Sequence, residues 1–224
     1  MAPPIAPEKI GKIDIALVSH AQHLDNLDNE GRKLLSKAGV TITTPESAVM
    51  NLPTKSVRGL KTWASTEVTN DAGEKLKITA MPAVHTSNPD LRSAVGEVTG
   101  FMLEWEGQKD GAFYISGDTV WIDEINEIAK RYKVAAGILH LGAANVPAVG
   151  DNFLTMNAVD GVRATKTLGL KNVFQAFRSQ IISGHFFTGT QAQPPDPTST
   201  RQRQQQGKDE AQGKAHAGTC SFRG

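Results

Sequence analysis

Four short apolar runs in this chain each give way to a residue type that holds metal ions. Ile13 to Val18 runs into Ser19-His20-Ala21-Gln22-His23-Leu24-Asp25-Asn26-Leu27-Asp28. Lys75 to Ala80 leads to His85, Ala112 to Ser116 to Asp118, and Val134 to Leu139 to His140. Short apolar runs rich in β-branched residues read as buried strands. Polar groups at the ends of several strands can converge on one edge of a sheet, where α/β folds place their sites. His20, His23, Asp25 and Asp28 alone put two imidazoles and two carboxylates into one loop, a donor set suited to a borderline cation such as zinc. Spacing alone leaves the bland alternative open, a solvated helix-capping loop with incidental histidines, and a lone strand-end histidine such as His85 reads more readily as structural.

Beyond these runs the pattern changes character along the chain. Glu30 to Ala38 predicts a short helix stopped by Gly39, and Val40 to Thr43 a strand. Val57 to Thr69 and Lys75 to Ala80 flank the turn Asn70-Asp71-Ala72-Gly73. Glu97 to Glu106 and Ala112 to Ser116 flank Gly107 to Gly111, so two hairpins are expected. Trp121 to Tyr132 and Met156 to Leu168 carry apolar residues at helical spacing. The second has Thr155 or Asn157 near its cap and Gly169 as its stop, and Val173 and Phe174 open a further strand. Hairpins followed by strand–helix–strand units predict a layered α/β domain with a mixed sheet over residues 7–189. Residues 190–224 are polar and charged with almost nothing apolar, and are expected to form a disordered tail.

Composition narrows the function classes. Lys and Arg total 24 against 23 Asp and Glu, a net charge of +1, so no field of one sign draws in nucleic acid or an anionic membrane. No apolar stretch nears the roughly 20 residues of a membrane span. The start, Met1-Ala2-Pro3-Pro4-Ile5, has neither a basic nor an apolar leader region, and a cytoplasmic protein is expected. The single cysteine, Cys220, leaves no disulfide framework and no Cys-rich zinc module, so a metal would fall to carboxylates and the six histidines. The expected partner is a small-molecule substrate, not nucleic acid or a membrane.

The order of these segments resembles the metallo-β-lactamase fold, in its broad branch of zinc-dependent hydrolases. The loop Ser19 to Asp28, followed by Gly31-Arg32, is similar to the Ser-His-Asp-x-His-x-Asp-Asn-Leu-Asp loop of one subgroup. It is a variant of the fold's His-x-His-x-Asp-His signature. Pro3 to Asp14, Pro82 to His85, Tyr114 to Trp121, Leu139 to Gly142 and the helix headed by Leu154-Thr155-Met156 match further segments, over about Pro3 to Val173. The resemblance implies an α/β fold, an αββα sandwich of mixed sheets flanked by helices. It also implies an incomplete one, shortened at both ends relative to the family, with an exposed sheet edge that favours a dimer.

The same resemblance implies roles for particular residues. His20 and His23 would hold a first metal with His85. Asp25 would lie at a second metal position and orient or deprotonate the attacking water, and Asp118 would be the bridging or second-site carboxylate. Asp28 is a candidate outer partner of a histidine, and Asn26 stands where the signature has its last His. His140 has no firm counterpart. The family's final histidine has none in Val173 to Arg178, and His185 is the nearest substitute. Zinc is the expected cofactor, one or two ions, with manganese or iron as alternates. The implied function is hydrolysis of an ester, lactone, amide or phosphodiester of a small molecule by a metal-activated water. Gln22, Asn26 and the missing final histidine motivate the alternative, a non-catalytic member of the fold. The loop from His85 to Val95 and Trp121 are candidates for the substrate mouth, with core packing the blander reading of Trp121.

Overall fold

The computed structural model describes residues 7–177, 181–182 and 185–186, so the tail expected at 190–224 and the domain end expected at 189 lie outside the described residues. A first, parallel sheet has the order β1 (Ile13–Leu17), β2 (Ala38–Thr43), β3 (Val57–Gly59). A second sheet runs in sequence order through β4 (Ser65–Thr69), β5 (Lys75–Met81), β6 (Gly100–Trp105), β7 (Ala112–Ile115), β8 (Val134–Leu141) and β9 (Asn172–Phe177). Its first four strands are antiparallel neighbours, and β7, β8 and β9 are parallel, so the sheet is mixed. The helices are α1 (Asn29–Leu35), α2 (Pro45–Ala48), α3 (Arg92–Val95), α4 (Glu124–Arg131) and α5 (Ala158–Leu168). A short antiparallel pair, β10 (Ile181–Ile182) and β11 (His185–Phe186), follows.

Side-chain alternation sorts these elements into layers. Ile15 and Leu17 of β1 and Val40 and Ile42 of β2 meet Ile78, Phe101, Leu103 and Ile115 of the second sheet, so the two sheets pack face to face. The neighbouring residues Met102 and Tyr114 point the other way, onto Ile125 and Ile128 of α4 and Ala164 and Leu168 of α5. Ala16, Val18 and Ala21 lie with Leu35 of α1 on the outer side of the first sheet. The result is the αββα sandwich expected from the resemblance. α4 fits because Ile125 and Ile128 share one face while Glu127 and Lys130 pair in solvent on another.

Three local readings are corrected. The segment Val57 to Thr69 is not one strand: β3 joins the first sheet and β4 the second, and Leu60 to Ala64 carries the chain between them. Trp63 turns there at φ 70, with its N–H donated to the Ala80 carbonyl at 2.8 Å and the Arg131 guanidinium 4.1 Å over its ring. The helix expected over Glu30 to Ala38 ends at Leu35, because Ala38 already pairs with Ile13. Gly39 is therefore a strand residue rather than a stop, and a Cβ there would come within 2.9 Å of the Asp14 carbonyl. Asp28 caps α1, accepting the Gly31 N–H at 2.7 Å, and is exposed. The other end signals hold, with Asn157 capping α5 and Gly169 closing it in the left-handed conformation.

Tyr114 is fully buried, and its hydroxyl has no hydrogen-bond partner among the described residues. Burial pushes its ionisation up from the ordinary phenol range. The folded state thus holds this proton where the unfolded chain releases it, so the associated stability is intact below about pH 10 and is lost as pH rises above that. Tyr114→Phe is expected to raise stability by about 1 kcal/mol at neutral pH, by removing an unsatisfied buried hydroxyl. Urea melts at pH 7 and pH 11 check this. The variant's advantage should widen at the higher pH, and a destabilised variant at neutral pH would refute the reading.

Candidate metal centre

His20, His23 and His85 bring one ring nitrogen each into a group whose members all lie within 4.8 Å of one another. Their ring centroids are 4.7 to 5.2 Å apart. His20 and His85 are 0 % and 2 % exposed, while His23 is half-buried. Two of these rings sit on the loop that leaves β1 and the third follows β5, so the group lies where the two sheets end together. Among the described residues this is the one cluster of three or more metal-ligand side chains.

The surrounding backbone fixes these rings. His85 Nδ1 lies 2.8 Å from the Leu154 carbonyl, which only accepts, so Nδ1 carries the proton and Nε2 is the lone-pair nitrogen of this ring. The neighbouring Val84 donates its N–H to the Thr119 hydroxyl at 3.0 Å, and its carbonyl accepts from Val120 N–H at 2.9 Å. Those bonds join the His85 segment to the turn that carries Asp118. Ser19 Oγ is 3.0 Å from His20 Nδ1, and the Ser19 carbonyl accepts from Thr99 N–H at 3.1 Å. The His23 carbonyl accepts from Asn26 and Leu27 N–H groups, which closes the loop into a turn. Three imidazoles, two of them shielded from water and one held in the ligating tautomer, fit a divalent cation of the zinc class.

The other candidates fall as follows. Asp118 is buried at the end of β7 and lies outside the three-histidine group. Asp25 is exposed on the turn after His23 and is likewise outside it. Asn26 donates its side-chain amide to the His20 carbonyl, so it acts as a loop staple. His140 is half-buried near the end of β8, with Nδ1 3.3 Å and its backbone N–H 2.9 Å from Ser116 Oγ. His185 pairs through its backbone with Ile182. Trp121 packs against the core between the second sheet and its helices, with the Arg163 guanidinium 3.8 Å over its ring. Its bland reading therefore describes its position. Sequence reasoning did not find the fixing role of Leu154, since a backbone carbonyl leaves no signal in a motif.

A cleft of about 630 Å³ opens beside His85. Thr44, Lys61, Thr86, Arg92, Val95 and Thr99 line it. The loop after His85 thus contributes to a substrate-sized opening, and Trp121 is not among its lining residues.

The sequence matches the family described as "Beta-lactamase superfamily domain" over residues 1–174. A comparison with curated proteins finds no match. Among solved structures, the chain is similar to an isothiocyanate hydrolase from Delia radicum gut bacteria, at 20 % identity and a TM-score of 0.62, covering 92 % of this chain and 74 % of that one. It is also similar to a metallo hydrolase from the hyperthermophilic archaeon Ignicoccus hospitalis, at 21 % identity and a TM-score of 0.56, covering 88 % and 73 %. At these identities the likeness establishes the fold. No helix of the described residues is long and apolar enough to cross a membrane.

Proposed function

The chain belongs to the beta-lactamase superfamily domain family, and from that premise we propose that it is a metal-dependent hydrolase acting on an ester, lactone, amide or phosphodiester of a small molecule. The observation that carries the proposal is the His20, His23 and His85 group beside a cleft. The chemistry that a zinc-class cation supplies at such a group is a water acidified to near neutrality and a Lewis acid for the scissile oxygen. The three imidazoles would hold the ion, with His85 presenting Nε2 because Leu154 holds its Nδ1 proton. Asp118, buried on a turn bonded to the His85 segment, takes the carboxylate role in this reading. Asp25, exposed on the His23 turn, would orient or deprotonate the attacking water in this reading. The cleft wall from Thr86 to Thr99 would contact the substrate. Asn26, whose Nδ2 bonds to the His20 carbonyl, stands where the signature has its last histidine, and the loss of that imidazole favours one metal over two.

Metal content per chain, after purification without added metal or chelator, tests this directly. About one zinc, manganese or iron per chain is expected. Chelator-sensitive turnover is expected on a panel of esters, lactones, amides and phosphodiesters, with an isothiocyanate added to match the similar gut-bacterial enzyme. His23→Ala and Asp118→Ala should each lose turnover. Activity surviving both changes would overturn the assignment. A folded chain that takes up no ion would support a non-catalytic member of the fold instead.

A further inference from the structure

Gln22, between the two histidines of the loop, makes contacts in two directions. Its Oε1 accepts from Ala21 N–H at 3.1 Å and from the Ser47 hydroxyl at 3.2 Å. Ser47 Oγ in turn accepts from Ala21 N–H at 2.9 Å, so α2 and the histidine loop share one knot of hydrogen bonds. Gln22 Nε2 donates to the Glu97 carbonyl at 2.8 Å and the Val95 carbonyl at 3.4 Å. The amide's orientation follows from chemistry, because one end meets a donor-only N–H and the other meets acceptor-only carbonyls. Gly96 permits the approach: a Cβ there would stand 2.6 Å from Gln22 Nε2, and its φ of +85 suits glycine. Val95, Gly96 and Glu97 line the cleft beside His85.

We propose that Gln22 is a positioning residue that sets the histidine loop and the Val95–Glu97 wall of the cleft in one fixed relation. The proposal rests on the metal-centre reading and adds to it, since it assigns a role to a residue of the histidine loop that is not itself a metal ligand. Either half of the amide serves one side: the oxygen holds the loop, and the nitrogen holds the wall.

Zinc affinity by chelator competition and amide hydrogen exchange over residues 92–99 test both halves without any turnover assay. Gln22→Ala should weaken zinc about 10-fold or more, the loss typical of removing an outer support of a metal ligand, and should speed exchange along the wall. Gln22→Glu keeps an acceptor for Ala21 and Ser47 but sets an oxygen against two carbonyls. It should therefore hold zinc at close to wild-type affinity while the wall still exchanges faster. If Gln22→Ala does not fold, Gln22→Glu decides the matter alone. Wild-type exchange along the wall in either variant would overturn the proposal. So would wild-type zinc affinity in Gln22→Ala. A wild-type chain that takes up no zinc would overturn the proposed function first, and this role with it.

Discussion

His85→Ala is expected to strip the metal from the chain while leaving it folded. His85 is 2 % exposed and belongs to a group of three imidazoles, so its loss leaves two histidines from a single loop. A two-histidine remnant lacks the ligand that joins the second sheet to the first. The affinity loss should exceed the roughly 10–100-fold that follows removal of an outer partner alone. The structural cost is smaller. Deleting the ring leaves the Leu154 carbonyl without its donor and opens a small void, together about 1–3 kcal/mol. That is a fraction of the roughly 5–15 kcal/mol holding a typical domain. Metal content, circular dichroism and a urea melt on the same preparation separate the two effects. Asp25→Ala, at an exposed carboxylate outside the group, should cost far less metal. Equal losses in the two variants would mean that Asp25 also holds the ion.

The strand order around this site was legible because each buried strand carries its own apolar run and each hairpin its own turn residues. The histidines were legible because they follow those runs. Other features depend on pairings that no local pattern carries. Val57 to Thr69 looks like one extended segment, yet its halves bond to different partners, β2 at one end and β5 at the other. Asp28 looked like a partner for a histidine, but the free N–H groups at the start of α1 are nearer and claim it. Gln22 and Asn26 read as damage to a ligand motif. Both amides instead bond to backbone carbonyls, Gln22 to Glu97 and Asn26 to His20. A single sequence cannot distinguish a lost ligand from a staple, because the distinction lies in which backbone carbonyl the folded chain brings up, for Gln22 one 75 positions away.

Gly117→Ala should be among the most destabilising single-methyl additions in the chain. Gly117 precedes Asp118 on the turn after β7, at φ +61, a conformation that side chains other than glycine rarely adopt. A Cβ there would drive into the Thr99 carbonyl and stand 3.1 Å from the Ser19 Cβ. Neither neighbour yields easily. Thr99 N–H is bonded to the Ser19 carbonyl at 3.1 Å, and Thr99 leads directly into β6. The conformational strain is worth about 1–3 kcal/mol, and overpacking against fixed backbone adds about 1–3 kcal/mol more. Gly73 supplies the control: it has φ +83 and nothing within 4 Å of its would-be Cβ, so Gly73→Ala carries the conformational part alone. Urea melts of the two variants should differ by the packing contribution. Displacement of Ser19 also moves His20, the next residue, so Gly117→Ala should bind zinc more weakly even where it remains folded, whereas Gly73→Ala should bind it as the wild type does. Equal stability of the two variants would show that the turn bearing Asp118 is not wedged against the histidine loop, and the buried carboxylate would then lose its claim to a place beside the metal.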